Sequence, residues 1–126
     1  MKINDPAVLA EVEAAFAAYE AALTGNDVAT LDAIFREAPE TLRYGVAENL
    51  YGHDEIAAFR SARSPVGLER TLERTVITTY GDTTATANTM FRRDSMVGKV
   101  GRQSQTWVKF AEGWRVVSAH VSIIPE

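Results

Sequence analysis

The chain has 126 residues, 46% of them hydrophobic and 24% charged, the size and balance of one ordinary globular domain. Thirteen Lys and Arg against 17 Asp and Glu give a net charge of −4, which speaks against a nucleic-acid or membrane-surface partner. There is no cysteine, so disulfides, thiolate nucleophiles and Cys-type zinc sites are excluded. No window approaches the ~18 apolar residues of a membrane span. The first residues lack the basic-then-apolar order of a signal peptide, so a cytoplasmic location is expected. Ten of the 13 basic residues are Arg. Arg presents a planar fork that matches a carboxylate. The pattern therefore reads either as a pocket for a small anion or as surface pairs for the Glu residues.

The first half is patterned as helices. Leu9, Val12, Phe16, Tyr19 and Leu23 recur at helical spacing. Asn4 or Asp5 can cap that helix, Pro6 suits its first turn, and Gly25-Asn26 ends it. A second, short helix carries Val28, Leu31, Ile34 and Phe35, with Pro39 closing it. Thr41 to Val46 reads as a strand. Gly52-His53-Asp54-Glu55 opens a third helix that turns Ile56 and Phe59 inward and runs to about Arg63. From there the pattern changes to strands at about 69–80, 83–93, 100–110 and 113–124, rich in β-branched and aromatic residues. Gly81-Asp82 and Glu112-Gly113 mark tight hairpins. The expected fold is α+β, with N-terminal helices packed on a curved antiparallel sheet. Three helices cover one face of such a sheet. The other would expose Trp, Val and Thr, so a homodimer through the outer face is expected.

The chemistry available is narrow. No Ser lies in a Gly-x-Ser-x-Gly context and no glycine-rich phosphate loop is present. Two His, 53 and 120, with no Cys provide no metal-ligand spacing, so neither metal nor cofactor is expected. What remains is proton transfer and charge stabilisation by Tyr, His, Arg, Asn and Gln. Tyr19 sits on the apolar stripe of the first helix, where its hydroxyl needs a partner. Arg43 lies between Leu42 and Tyr44. Period 2 turns it outward if those two face in; facing inward, it needs an anion. Gln103, Gln105 and Trp107 share a strand face that suits either a polar ligand in an apolar cavity or a wet interface. In the last strand Val117, Ala119, Val121 and Ile123 read as the core face. That puts His120 on the polar face, as a base, a ligand contact or an interface residue. Asn88, in a central strand, calls for a specific partner.

The order of elements resembles the cone-shaped fold of nuclear transport factor 2 and its SnoaL-like relatives. Closer runs are Asn4-Asp5-Pro6, Arg43-Tyr44-Gly45, Glu48-Asn49-Leu50-Tyr51-Gly52 and Ala58-Phe59-Arg60. With them go Arg74 to Thr79, Gly101-Arg102-Gln103-Ser104-Gln105-Thr106-Trp107, Gly113-Trp114-Arg115 and Ala119-His120-Val121-Ser122. Together they resemble the AtzH-like family, which includes oxalurate-catabolism proteins, over essentially the whole chain. The resemblance implies a decarboxylating amidohydrolase acting on a 1,3-dicarboxyurea-like substrate, with Tyr19 and Arg43 catalytic and Arg43 turned inward. Arg63, Asn88, Gln105 and His120 complete the expected substrate-binding set. The last two strands also resemble the association domain of calmodulin-dependent kinase II, whose pocket Arg position falls on Gln105. The alternative is a non-catalytic ureide-binding or accessory dimer supporting a co-encoded amidase. A SnoaL-like cyclase, isomerase or dehydratase is disfavoured, because Glu69, Glu73, Asp82 and Asp94 lie near strand ends or on one edge.

Overall fold

A computed structural model describes residues 1–126. Helix α1 (Pro6–Thr24) starts where Asp5 accepts the Val8 amide at 3.3 Å and Pro6 fills the first turn. It ends at Gly25, followed by Asn26 at φ 50. Helix α2 (Val28–Ile34) is capped by Asp27 through the Thr30 amide, at 3.2 Å. It stops at Ile34, short of Pro39, because Phe35 is already extended and bridges to Val116. Helix α3 (His53–Ala62) begins after Gly52, whose φ of 85 is open to glycine, and carries Asp54 and Glu55 in its first turn.

The strands are β1 (Leu42–Tyr44), β2 (Asn49–Tyr51), β3 (Thr71–Tyr80), β4 (Thr84–Arg92), β5 (Lys99–Phe110) and β6 (Gly113–Pro125). They form one six-stranded sheet in the order β2-β1-β6-β5-β4-β3. The β3 to β6 meander is antiparallel as expected, but β1 runs parallel to β6, so the sheet is mixed. The sequence pattern also missed β2, which pairs back on β1 through the tight Gly45–Glu48 turn.

Helices and sheet close over Val12, Phe16, Tyr19, Leu31, Phe35, Ile56, Trp107 and Val116. Each such side chain contributes about 1.5–3 kcal/mol by leaving water. Both indoles use their N–H: Trp107 donates to Gln105 at 3.1 Å, and Trp114 to Glu11 on α1 at 2.9 Å. The β5–β6 register shifts between Thr106 and Trp107, so that Thr106 pairs with Ser118 but Trp107 with Val116. Val117 is the extra residue of a bulge. The expected core face of β6 therefore holds only beyond it: Ala119 and Val121 are buried, and before it Trp114 and Val116 are buried instead.

Gly101 on β5 is fixed by space. A Cβ there would overlap the ring of Phe91 on neighbouring β4. Because Phe91 is fully buried, relief needs a shift of packed atoms. Gly101→Ala should cost about 1–3 kcal/mol, read from the denaturant midpoint of unfolding at unchanged slope.

Candidate functional site

At one end of the sheet, α1, β1, α3 and the Arg93–Met96 turn leave a cavity of about 340 Å³. Tyr19, Leu23, Phe59, Leu68, Phe91, Val121 and Ile123 give it an apolar wall. Five arginines also line it: Arg43, Arg60, Arg63, Arg70 and Arg93.

Local pattern explains how each arrives. Arg43 pairs with the buried Ala119, and its neighbours Leu42 and Tyr44 pair with Ser118 and His120. Arg43 is thus on the inner face and Leu42 and Tyr44 on the outer one, the arrangement the family resemblance implies and the reverse of the apolar-inward reading. Arg60 follows Ile56 by one helical turn and shares its buried face. Arg93 continues the inward alternation of Ala85, Ala87, Thr89 and Phe91 past the end of β4. Arg70 precedes β3 with the parity of Leu72, which pairs with Phe91.

Three of these guanidinium groups have a carboxylate. Arg43 donates to Glu48 at 2.8 Å. Arg70, with 2% of its side chain exposed, forms a two-pronged pair with Glu20. Arg60 lies 3.6 Å from Asp32 and 4.1 Å from the centre of the Phe35 ring. The remaining two, Arg63 and Arg93, have no carboxylate within ion-pair distance. Burial pulls the Arg60 guanidinium down to about 10. Arg63 and Arg93 are shifted in the same direction by burial, and secondarily by the charges of Arg43 and Arg70 respectively. The apolar wall thus holds cations that repel one another.

Gln103 ties the chamber together. Its Oε1 accepts from Arg70 Nη2 at 3.0 Å and from the Tyr19 hydroxyl at 3.5 Å. Arginine can only donate, so the amide oxygen must face it, and the Gln103 NH₂ is left without a partner. Arg63 Nε and Nη2, Arg93 Nε and Arg60 Nη1 are likewise buried and unpartnered. Phe91 supports two of the cations, with Arg70 4.6 Å and Arg93 5.0 Å from its ring centre.

Of the residues expected from sequence, Tyr19, Arg43 and Arg63 come together here. The other three do not reach the cavity. Asn88 is exposed because β4 buries its odd-numbered residues. His120 is exposed on the outer face, edge-on to Tyr44 at 5.8 Å. Gln105 is on the inner face but buried beneath the cavity, its oxygen occupied by Trp107. The reading from sequence missed Arg60, Arg70 and Arg93, and the carboxylates Asp32, Glu20 and Glu48, which face Arg60, Arg70 and Arg43. The signal was strand parity with buried neighbours for Arg70 and Arg93, and helical spacing from Ile56 for Arg60. Because Arg70 is enclosed, Glu20→Gln should cost about 2–4 kcal/mol. The double variant Glu20→Leu, Arg70→Met should lose less than the two single changes summed, as a double-mutant cycle in urea measures.

The sequence profile of the family described as AtzH-like matches residues 1–126. A DUF3225-family protein of unknown function from Pectobacterium atrosepticum is 58% identical. The alignment covers 97% of this chain and 94% of that one, at a TM-score of 0.95. A cystatin-like fold protein from Burkholderia xenovorans is 45% identical over 100% of this chain and 98% of that one, also at 0.95. A nuclear transport factor 2-like superfamily protein from Salmonella enterica is 26% identical over 92% and 90% of the two chains, at 0.73. Among curated proteins, none matches.

Proposed function

The chain belongs to the AtzH-like family, and from that premise we propose that the arginine-lined chamber hydrolyses a small carboxylated urea, of the 1,3-dicarboxyurea type. The observation that carries this reading is the set of leftover polar atoms on Arg63, Arg93 and Gln103. All are buried N–H donors with no acceptor. A ligand that satisfies them is rich in acceptors and negatively charged, and 340 Å³ is room for a small molecule. A dicarboxylated urea supplies a carbonyl and carboxylates in one short, planar chain.

In this reading water adds to the terminal carboxyl carbon and the bond from that carbon to nitrogen breaks. The carbon leaves as bicarbonate and the nitrogen takes a proton. Arg43, on the inner face of β1, neutralises the carboxylate at the scissile bond. Tyr19 rests its one hydroxyl proton on the Gln103 oxygen and, in the reaction, releases that bond to donate toward the leaving nitrogen. Gln103 holds it in place and offers its own NH₂ to the urea oxygen.

A second reading is a ureide-binding or accessory dimer that supports a co-encoded amidase. It is favoured by the fact that both carboxylates lining or bordering the chamber, Glu20 and Glu48, are held in ion pairs. Bicarbonate release from 1,3-dicarboxyurea, alongside calorimetry with oxalurate, separates the two. Release faster than in buffer supports the hydrolase, and binding with release at the buffer rate supports the accessory role. For the hydrolase, Arg43→Lys and Tyr19→Phe should each lower kcat/KM by roughly 10²-fold or more, with melting temperatures close to the parent. Wild-type rates in both variants would remove these residues from the mechanism.

The outer face of the sheet, carrying Val76, Tyr80, Tyr51 and His120, is proposed as the surface joining two copies. Val76 is 57% exposed in the single chain. Light scattering at micromolar concentration should give twice the chain mass; a monomer mass contradicts the pairing.

A further inference from the structure

The five arginines are not equivalent. Arg43, Arg60 and Arg70 each already face a protein carboxylate: Glu48, Asp32 and Glu20. Arg63 and Arg93 face none, yet both line the cavity and are half-buried or more deeply enclosed. The chamber thus carries two positive charges without partners. The buried, unpartnered atoms of Arg63 are Nε and Nη2. That pair is one side of the guanidinium fork, spaced to receive both oxygens of one carboxylate. Arg93 touches the protein through Nη2, a long 3.5 Å donation to the Leu68 carbonyl, and leaves Nε buried and free. Its position is set by the Phe91 ring, which it shares with Arg70. An uncompensated guanidinium inside a protein is costly, and here two line one cavity.

From this we infer that Arg63 and Arg93 form a clamp for a dianion, each taking one carboxylate of the ligand, so that the chamber selects doubly charged ureides over singly charged ones. The inference rests on reading the chamber as a ureide site and adds which residues hold the two carboxylates. A urea carboxylated at both ends satisfies both arginines, whereas oxalurate, with one carboxylate, leaves one exposed inside the cavity. Arg43 is not an anchor of this clamp. It reaches the ligand only by exchanging Glu48 for a substrate carboxylate, which suits a group that acts at the reacting end.

Stable probes separate the clamp from the chemistry. Glutarate has two carboxylates at the chain length of a dicarboxylated urea. Glutaramate is the same chain with one of them an amide. Calorimetry on the wild-type protein should give at least a tenfold preference for glutarate, the size expected for one charged hydrogen-bonded pair. Arg63→Gln and Arg93→Gln should each weaken glutarate at least tenfold and bring the two probes within about threefold of each other. Arg63→Lys should restore little, because an ammonium does not replace the fork. Both Gln variants should melt at or above the wild-type temperature without ligand, since each removes an unpaired buried charge. A variant that fails to fold is replaced by Arg63→Met or Arg93→Met under the same criterion. Equal binding of glutarate and glutaramate by the wild type, or undiminished glutarate affinity in both Gln variants, overturns the clamp even if dicarboxyurea is hydrolysed. Discrimination that depends on both arginines, with dicarboxyurea lost only at the buffer rate, keeps the clamp and overturns the hydrolase.

Discussion

The constraint on which the site depends is the enclosure of five guanidinium groups at one end of a small cone, with three carboxylates to meet them. In water such charges ignore one another beyond a few ångströms. Against an apolar wall they do not. Burial and mutual repulsion weaken the hold of Arg60, Arg63 and Arg93 on their protons. The fold must supply enough apolar packing elsewhere to keep them in place. Trp107, Phe35 and Leu31, among the largest fully buried side chains, supply part of it.

The architecture holds these charges by surrounding each with rigid matter rather than by pairing all of them. Phe91 is the clearest case. Its ring lies under two arginines, and it can occupy that position because residue 101 on the next strand has no side chain. Gly45 plays the same part for β1, where any Cβ would overlap the Glu48 carboxyl that holds Arg43. The run from Gly101 to Trp107 therefore carries three functions on alternate residues. Gly101 makes room for the platform, Gln103 orients Tyr19 and Arg70, and Gln105 satisfies an indole in the core. A preorganised cluster of donors against an apolar wall is the arrangement that stabilises negative charge with little rearrangement.

Much of the fold was legible from residue order. The start of α1 at Asn4 or Asp5, its apolar stripe and the β3 to β6 meander followed from local rules. The parallel pairing of β1 with β6 did not, because nothing within a three-residue strand specifies a partner some 75 residues away. The bulge at Val117 was equally hidden, since an extra residue changes which parity is buried without changing composition. In the site, Tyr19 was placed by the helical stripe, and Arg43 by likeness to the family, against the apolar alternation. Asn88 and His120 were misplaced because a polar residue in a sheet reads the same whether it faces a cavity or solvent. Arg60, Arg70 and Arg93 were missed because an arginine at a buried parity is so costly that pattern reading assigns it to the surface. That cost is what makes them candidates for the site once their positions are known.

The central claim is that the chamber is short of negative charge by two units and is completed by a dianion. Its most direct test is the melting temperature of the wild-type protein titrated with glutarate, against sodium chloride at matched ionic strength. A ligand that binds only the folded chain adds about 2.7 kcal/mol of stability at one hundred times its Kd. The account predicts a melting temperature that climbs steadily with glutarate and hardly moves with chloride. Equal shifts in the two salts, or no shift with glutarate at concentrations up to tens of millimolar, would contradict it.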